Sequence, residues 1–392
     1  MNPVVYLDHA ATTPTDPAVV EAMLPYFSEV YGNASSIYRV GRASLQAVDD
    51  ARSSVARILG ATPKEIVFTS GGSEADNLAI KGVALAQQRA GKGRHIITSA
   101  IEHHAVLHAC EHLELFDFDL TVLPVGADGV VSPADLRAAL RPDTVLVSLM
   151  YANNEIGTLQ PIAELGAICR ERGVPFHTDA VQAAGALPLN VKEINVDLLT
   201  LTAHKFYGPK GTGCLYVRHG TPLMSQVNGG SQERRRRAGT ENVPGIVGFA
   251  RALEIAEHGR LQYVQHCTAL REQLIQGVQA RIPLVEVNGH RSERLPNNAN
   301  LAFAYAEGES ILLLLDQLGF CASSGSACTA GSIDPSHVLM ALGHGAERAT
   351  SSVRFTVGKH TTAADIDRLL EALPPIVARL RSVSPEYKAL SA

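Results

Sequence analysis

Short apolar runs alternate with helical segments through the first half of the chain, and this rhythm restricts the fold more than any other feature. Residues 66–69, 95–98, 120–123 and 145–150 have the length and composition of buried strands, and segments with helical spacing separate them. Because parallel strands need a crossover connection, this order predicts a largely parallel sheet with helices on both faces. We therefore expect an α/β fold.

The length and a change of pattern indicate two domains. A chain of 392 residues is too long for one compact core. After about residue 255, a long predicted helix over 248–280 leads to short elements with fewer crossovers. We expect a large α/β domain over 15–255 and a smaller α+β domain formed by 1–14 and 256–392.

The composition is that of an ordinary α/β protein with no general affinity for polyanions. The chain is 46% hydrophobic and its net charge is −5, so we expect no direct nucleic-acid or membrane partner. A run of four arginines, 234–237, is the basic exception. The six cysteines form no Cys-x-x-Cys pair, and the N-terminus lacks signal-peptide features. We expect a cytoplasmic protein with free thiols and no metal site.

The stretch 200–213 places a lysine between a packed strand and a glycine-rich turn. Lys205 follows the apolar run 196–201, and Gly208, Gly211 and Gly213 shape the backbone after it. An aimed and partly desolvated lysine has a lowered pKa and can form a Schiff base. The same pattern also fits a surface lysine before a β-hairpin.

Polar residues follow several of the predicted strands, at the edge where open parallel sheets bind ligands. The turn 70–77 offers glycines and Ser73 at a helix start, which suits a phosphate, although a plain capping turn has the same composition. His103, Asn154, Asp179 and Gln182 follow other strands. An acid, a lysine and a phosphate cradle on one rim are the parts that hold pyridoxal phosphate.

A second informative stretch, 321–331, consists mainly of small residues around Cys328. Its lack of helical or strand periodicity predicts an exposed loop that carries a thiol. An irregular connection with an incidental cysteine is the alternative. Cys321 follows apolar residues and fits a buried thiol, and the other four cysteines lie in predicted helices or strands.

Together these stretches resemble the cysteine desulfurases of the class V aminotransferase group, in the branch of the nitrogen-fixation and housekeeping iron–sulfur cluster enzymes. The resemblance runs from Tyr6 to Gly358, and its most specific parts are the motifs around Lys205 and Cys328. It implies pyridoxal-phosphate fold type I, which is aspartate aminotransferase-like, with the cysteine loop at about 321–336 in the small domain. The C-terminus lacks the extended tail of the housekeeping type, which favours the nitrogen-fixation-like subgroup.

The resemblance also implies a role for each matching residue. Lys205 would bond the cofactor and move the Cα proton, His103 would stack on its ring, and Cys328 would be the sulfur-accepting nucleophile. Arg354 would clamp the substrate carboxylate and Asn33 would also contact substrate. The other implied cofactor contacts are Gly72, Ser73, where many relatives have threonine, Asn154, Asp179, Gln182, Thr202, His204 and, from a neighbouring subunit, Thr240.

These roles imply an enzyme that converts L-cysteine to L-alanine, leaves a persulfide on Cys328 and passes the sulfur to an acceptor protein for iron–sulfur cluster assembly or thiolation. The Thr240 contact makes a homodimer part of the expectation. The nearest alternative is a selenocysteine lyase or another pyridoxal-phosphate enzyme of this fold. A partner-activated sulfur-relay protein with weak catalysis of its own is an alternative from another class.

Overall fold

The computed structural model describes residues 4–324 and 335–390. The strands are β1 (Val5–Tyr6), β2 (Ile66–Thr69), β3 (His95–Ser99), β4 (Asp119–Leu123), β5 (Thr144–Ser148), β6 (Phe176–Asp179), β7 (Leu198–Thr202), β8 (Gly213–Val217), β9 (Val285–Val287), β10 (Asn298–Phe303), β11 (Phe320–Cys321) and β12 (Ser352–Thr356). The helices are α1 (Pro17–Met23), α2 (Pro25–Ser28), α3 (Arg39–Leu59), α4 (Gly72–Arg89), α5 (His104–Glu114), α6 (Pro133–Ala139), α7 (Ile162–Arg172), α8 (Val243–His258), α9 (Arg260–Arg281), α10 (Gly308–Gln317), α11 (His337–Ala341), α12 (Ala346–Thr350), α13 (Ala363–Val383) and α14 (Pro385–Leu390).

The predicted α/β sheet is confirmed. Seven strands lie in the order β2-β8-β7-β6-β5-β3-β4, in which the five strands from β7 to β4 are parallel and β8 is antiparallel to both of its neighbours. All five residues of β3, β5 and β7 are buried, as expected for strands covered on both faces. The register pairs Asp179 of β6 with Thr200 of β7, so both side chains lie near the carboxyl ends of their strands.

The C-terminal part of the chain forms a separate small sheet with its own apolar cluster. Strands β9, β10 and β12 are antiparallel, and the N-terminal strand β1 pairs with β11. Val5 and Leu7 accordingly pack with residues of α9 and α13 rather than with the core beneath the large sheet. This packing agrees with the predicted union of 1–14 with 256–392, although the domain boundaries stay a prediction.

Two expectations for local structure were wrong. The long helix predicted over 248–280 is two helices, α8 and α9, that meet at Gly259. Glycine is a poor helix former, and the φ of −88° and ψ of 0° at Gly259 end α8 there. Ser73 does not cap α4, because the helix already begins at Gly72; the Glu74 carboxylate instead accepts a hydrogen bond from the Ser70 N–H at 2.8 Å.

Cysteine packing follows the expectation in the regular elements. Cys110, Cys169, Cys214 and Cys267 are buried free thiols. The expectation of a buried thiol at Cys321 was wrong, because this residue of β11 is only partly buried. Cys328 lies outside the described residues. No helix within 4–324 or 335–390 is long and apolar enough to cross a membrane.

Candidate active site

A cavity of about 420 Å³ opens at the carboxyl ends of the central parallel strands. Ten of the predicted site residues line it: Gly72, Ser73, His103, Asn154, Asp179, Gln182, Thr202, His204, Lys205 and Arg354. These positions span almost 300 residues of chain, and the crossovers of the α/β fold bring them to one rim. The cavity is therefore the candidate active site.

Lys205 enters the cavity from the turn that follows β7. Its Nζ donates hydrogen bonds to the carbonyl oxygens of Ala10 and Ala11, at 2.6 and 2.8 Å. The glycines after it allow a close approach of two backbones, since a Cβ at Gly213 would lie 2.5 Å from the carbonyl carbon of Gly71. The lysine is thus aimed by short backbone contacts on both sides.

Asp179 lies at the end of β6, in the floor of the cavity. Its Oδ1 accepts a hydrogen bond from the Val181 N–H at 2.9 Å. Burial raises the pKa of this carboxyl to about 6, and the Val181 hydrogen bond and the Lys205 charge act in the opposite direction. Nearby, Gln182 donates from Nε2 to the Ala10 carbonyl at 3.0 Å, which ties the segment under Lys205 to the same floor.

The N-terminus of α4 forms one end of the cavity. Gly71 and Gly72 start this 18-residue helix, and Thr202 and His204 face it from the end of β7. A helix N-terminus with glycine backbone favours a phosphate group. Burial, with Lys205 and Lys210 nearby, lowers the pKa of His204 to about 4, so its ring is neutral near pH 7.

His103 lies where α5 begins, and its ring is partly buried and neutral. The Nδ1 atom accepts the Ala105 N–H at 3.1 Å, which places the proton of the neutral ring on Nε2. Burial first, and then the charges of Lys205 and nearby histidines, lower the pKa of His103 to about 4. A flat, uncharged ring of this kind can cover one face of an aromatic ligand.

Arg354 occupies the side of the cavity formed by β12. Its guanidinium donates to Asp8 Oδ1 at 2.7 Å and to the Asn154 carbonyl at 3.0 Å. Asp8 was not among the predicted site residues, although it lies near the start of the resemblance, which begins at Tyr6. Asn154 contributes this backbone carbonyl in addition to any side-chain contact.

Three predicted residues lie elsewhere or are not described. Asn33 and Thr240 are exposed and do not line the cavity of a single chain within the described residues. Asn33 uses its Oδ1 to accept the Ser35 N–H at 2.9 Å. Cys328 lies outside the described residues, so its predicted role is untested by the geometry.

Asp76 and Glu102 are among the buried acids in the cavity wall that were not predicted as site residues. Asp76 of α4 and Glu102, which precedes α5, are each 1% exposed and line the cavity. Burial raises the pKa of Glu102 to about 8 and raises that of Asp76 well above its ordinary value. The signal for Asp76 was present, because Ala79, Ile80 and Val83 mark its side of α4 as the buried one.

These residues fit pyridoxal phosphate. A lysine, an acid for the ring nitrogen, a neutral histidine for the ring face and a helix N-terminus for the phosphate meet in one cavity of suitable size. One oxygen each of Asp76 and Glu102 has no hydrogen-bond partner among the described residues, so the wall retains polar capacity for a ligand. Within the same residues, no cluster of three or more His, Cys, Asp or Glu side chains could hold a metal ion.

Comparisons with known proteins agree with this geometry. The family model described as "Aminotransferase class-V" matches residues 5–369. "Cysteine desulfurase IscS" of Methanosarcina thermophila is 53% identical, over 99% of this chain and 96% of that protein. The protein of the same name from Dictyoglomus turgidum is also 53% identical, over 98% and 97%. A solved structure titled "NIFS-LIKE PROTEIN" is similar with a TM-score of 0.90 and 36% identity, over 96% of this chain and all of that one.

Proposed function

Because the chain belongs to the class V aminotransferase family and is a pyridoxal-phosphate-dependent cysteine desulfurase, we propose which of its residues convert L-cysteine to L-alanine. The observation that carries the proposal is the meeting of Lys205, Asp179, the α4 N-terminus and Arg354 around one cavity. Each group suits a different part of an amino acid bound to this cofactor. When bound, pyridoxal phosphate supplies an electron sink for the charge that develops at Cα.

We assign the handling of the Cα proton to Lys205. Its Nζ is held at the cavity by the carbonyls of Ala10 and Ala11, and an amine so placed can bond the cofactor and later act as a base. Asp179 would keep a proton on the ring nitrogen, since a carboxylate there stabilises a cationic ring. His103 would cover the ring, and Gly72, Ser73, Thr202 and His204 would hold the phosphate. Asn154 and Gln182 complete the set of cofactor contacts that we propose.

Arg354 would bind the substrate carboxylate with a planar pair of N–H donors. Its contacts to Asp8 and to the Asn154 carbonyl fix the plane of the guanidinium before substrate arrives. A fixed plane favours two parallel hydrogen bonds to a carboxylate. Asn33, which is exposed, is our second proposed substrate contact.

Cys328 would receive the sulfur. Its thiolate attacks the sulfur of the bound substrate, so that an S–S bond forms while the substrate C–S bond breaks. The electron pair of the broken bond stays with the three-carbon fragment, which is released as alanine after protonation. The persulfide is then available to an external reductant, or to an acceptor protein that docks near this cysteine.

We further propose a cytoplasmic homodimer in which Thr240 reaches the phosphate of the neighbouring subunit. Two observations support this. Thr240 is exposed in the single chain, and the segment before it is bound to α4 through the Arg237–Glu74 ion pair. Mixing Lys205→Ala protein with Thr240→Ala protein tests this. One site of a mixed dimer would carry both defects and the other neither, so activity should return. If the mixture stays as inactive as its components, Thr240 does not act across subunits.

The decisive experiment is anaerobic turnover of L-cysteine with a reductant, with sulfide and alanine measured together. We expect equal amounts of the two products. Cys328→Ala should lose both while keeping the absorbance of the bound cofactor. Cys321→Ala is the matched control, because it removes a partly buried thiol seven positions earlier and should keep turnover. Alanine formation that does not need Cys328 would instead identify a lyase.

A further inference from the structure

Asp76 is a buried acid in the wall of the cavity, and the function proposed above gives it no role. It lies in the second turn of α4, 1% exposed, and its Oδ1 accepts no hydrogen bond from any described residue. The nearest basic atom given for that oxygen is His177 Nε2, at 3.7 Å. Burying a carboxylate whose oxygen accepts no hydrogen bond costs much free energy, whereas burying a neutral carboxyl group costs much less.

A chain of hydrogen bonds reaches Asp76 from the central sheet. His177 Nδ1 lies 2.8 Å from Ser148 Oγ, and His177 Nε2 lies 3.0 Å from Thr200 Oγ1. Burial lowers the pKa of His177 to about 3, so its ring is neutral and has one N–H to donate. The Thr200 hydroxyl thus contacts the His177 ring and is also hydrogen-bonded to the Asp76 side chain, so it links the two.

The charges around Asp76 also favour its neutral form. Burial is the main cause of its raised pKa, and the charge of Asp179 on β6 is the next. The Thr200 hydrogen bond opposes them, and Glu102 adds to them. Lys205 acts on Asp179 rather than on Asp76, and the Cys110 thiol of α5, which also faces Asp76, has a pKa raised by burial. Asp179 therefore has a cationic neighbour that Asp76 lacks, so a single proton shared by these two buried carboxyl groups is better placed on Asp76.

We propose that Asp76 carries the proton of the Asp76–Asp179 pair, which leaves Asp179 as the carboxylate that faces the cofactor's ring nitrogen. Asp76 is then a positioning residue: it joins α4, whose N-terminus receives the phosphate, to β7 and β6, whose end carries Asp179. The inference about the cofactor rests on the proposed function, but the location of the proton can be measured without turnover.

Infrared spectroscopy of the full-length protein, prepared with ¹³C-carboxyl-labelled aspartate, tests the proposal directly. Near neutral pH, and with the cofactor removed or bound, wild type should show the carbonyl band of a protonated carboxyl group, shifted by the label. The label separates aspartate from Glu102. The band should vanish in Asp76→Asn and persist in Asp179→Asn. Asp50→Asn, an exposed acid on α3, is the control and should leave it unchanged.

A wild-type spectrum without a labelled band overturns the proposal whatever the variants do, as does a band that survives Asp76→Asn or disappears in Asp179→Asn. Absence of desulfurase activity with the band in place would instead refute the proposed function and leave the proton on Asp76.

Cofactor affinity gives an independent readout. Asparagine keeps a neutral side chain that can accept from Thr200, whereas leucine of similar size cannot. Asp76→Leu should therefore bind pyridoxal phosphate about tenfold more weakly than Asp76→Asn, when apoprotein is titrated with cofactor. Equal weakening in the two variants would mean that a charge is needed at position 76, which contradicts the proposal.

Discussion

Replacing Arg354 with lysine should weaken the use of L-cysteine without emptying the cofactor site. Arg354 is 1% exposed, and its guanidinium already donates to Asp8 and to the Asn154 carbonyl. Lysine keeps a positive charge beside Asp8 but cannot keep these contacts and also present two parallel donors to a substrate carboxylate. Alanine is the poorer test, because it would leave Asp8 beside no counter-charge and would mix stability with binding.

The size of the effect follows from the hydrogen bonds that are lost. One hydrogen bond to a charged group contributes about 1.5–3 kcal/mol, which corresponds to a roughly 10- to 150-fold change. We expect kcat/KM for L-cysteine to fall within that range in Arg354→Lys. Since the carboxylate is bound in both the ground state and the transition state, most of the fall should appear in KM.

Steady-state rates of alanine formation measure this, with cofactor absorbance and melting temperature recorded on the same samples. Arg348→Lys is the matched control, because Arg348 also pairs with an acid, Glu286, but does not line the cavity. An unchanged KM in Arg354→Lys would refute the carboxylate assignment. A loss of activity that merely follows a lowered melting temperature would refute it as well.

Three further predictions concern the lysine, a buried acid and a buried ion pair. Lys205→Ala should abolish turnover by the full-length enzyme, because the cofactor then has no lysine to bond. Any cofactor bound to this variant should be removable by dialysis, which absorbance would show. Turnover by the variant would contradict the role given to Lys205. The pKa of Glu102 is about 8 in the folded protein, above its ordinary value of 4.5. Between these pH values the folded protein keeps a proton that the unfolded protein has released, so this residue lowers the stability of the fold as the pH rises. We therefore expect the free energy of unfolding of Glu102→Gln, measured with urea, to rise relative to wild type between about pH 5 and about pH 8. The same difference between variant and wild type at both pH values would contradict the raised pKa. Arg52→Ala should cost about 3–5 kcal/mol in the free energy of unfolding, because it leaves Glu233 charged and buried, whereas Arg137→Ala, at an exposed pair with Glu171, should cost less than about 1 kcal/mol. Equal losses in the two arginine variants would show that burial does not set the cost.

The sequence predicted the part of the site that depends on local order. Once the β-α-β rhythm was recognised, every polar residue that directly follows a parallel strand belonged to one rim, and the cavity confirms this for Asp179 and Lys205. The chemistry of the motifs then distinguished a cofactor site from a plain sheet edge. The expected position of Ser73 at the helix start was wrong, because α4 already begins at Gly72 and Glu74 supplies the side-chain hydrogen bond at that turn.

Contacts between distant parts of the chain were beyond a reading of patterns. Asp8 and Arg354 are 346 positions apart. They meet because the segment after β1 forms a bridge between Asp8 and Thr356, which is the last residue of β12. Nothing in the periodicity of either segment specifies that pairing. The break at Gly259 shows the converse case, in which a local signal was visible but the apolar spacing on both sides of it suggested a continuous helix.

The arginine run 234–237 has a structural role that its composition does not suggest. Glu233, Arg234 and Arg235 have positive φ angles of 44°, 56° and 64°, a conformation that costs free energy in residues other than glycine. The buried Arg52–Glu233 pair, at 2.7 Å, holds the start of this segment, and Glu233 also accepts the Phe68 N–H at 3.0 Å.

Other arginines of the run bind the segment 63–64 and the start of α4. Arg234 and Arg236 donate to the backbone carbonyls of Pro63 and Lys64, and Arg237 pairs with Glu74 in the first turn of α4. Three of the four guanidinium groups are therefore engaged by the protein itself, which argues against a nucleic-acid surface. Since Arg237 lies three residues before Thr240 and binds the helix that we propose to hold the phosphate, the strained segment fixes the start of the Thr240 loop relative to that helix.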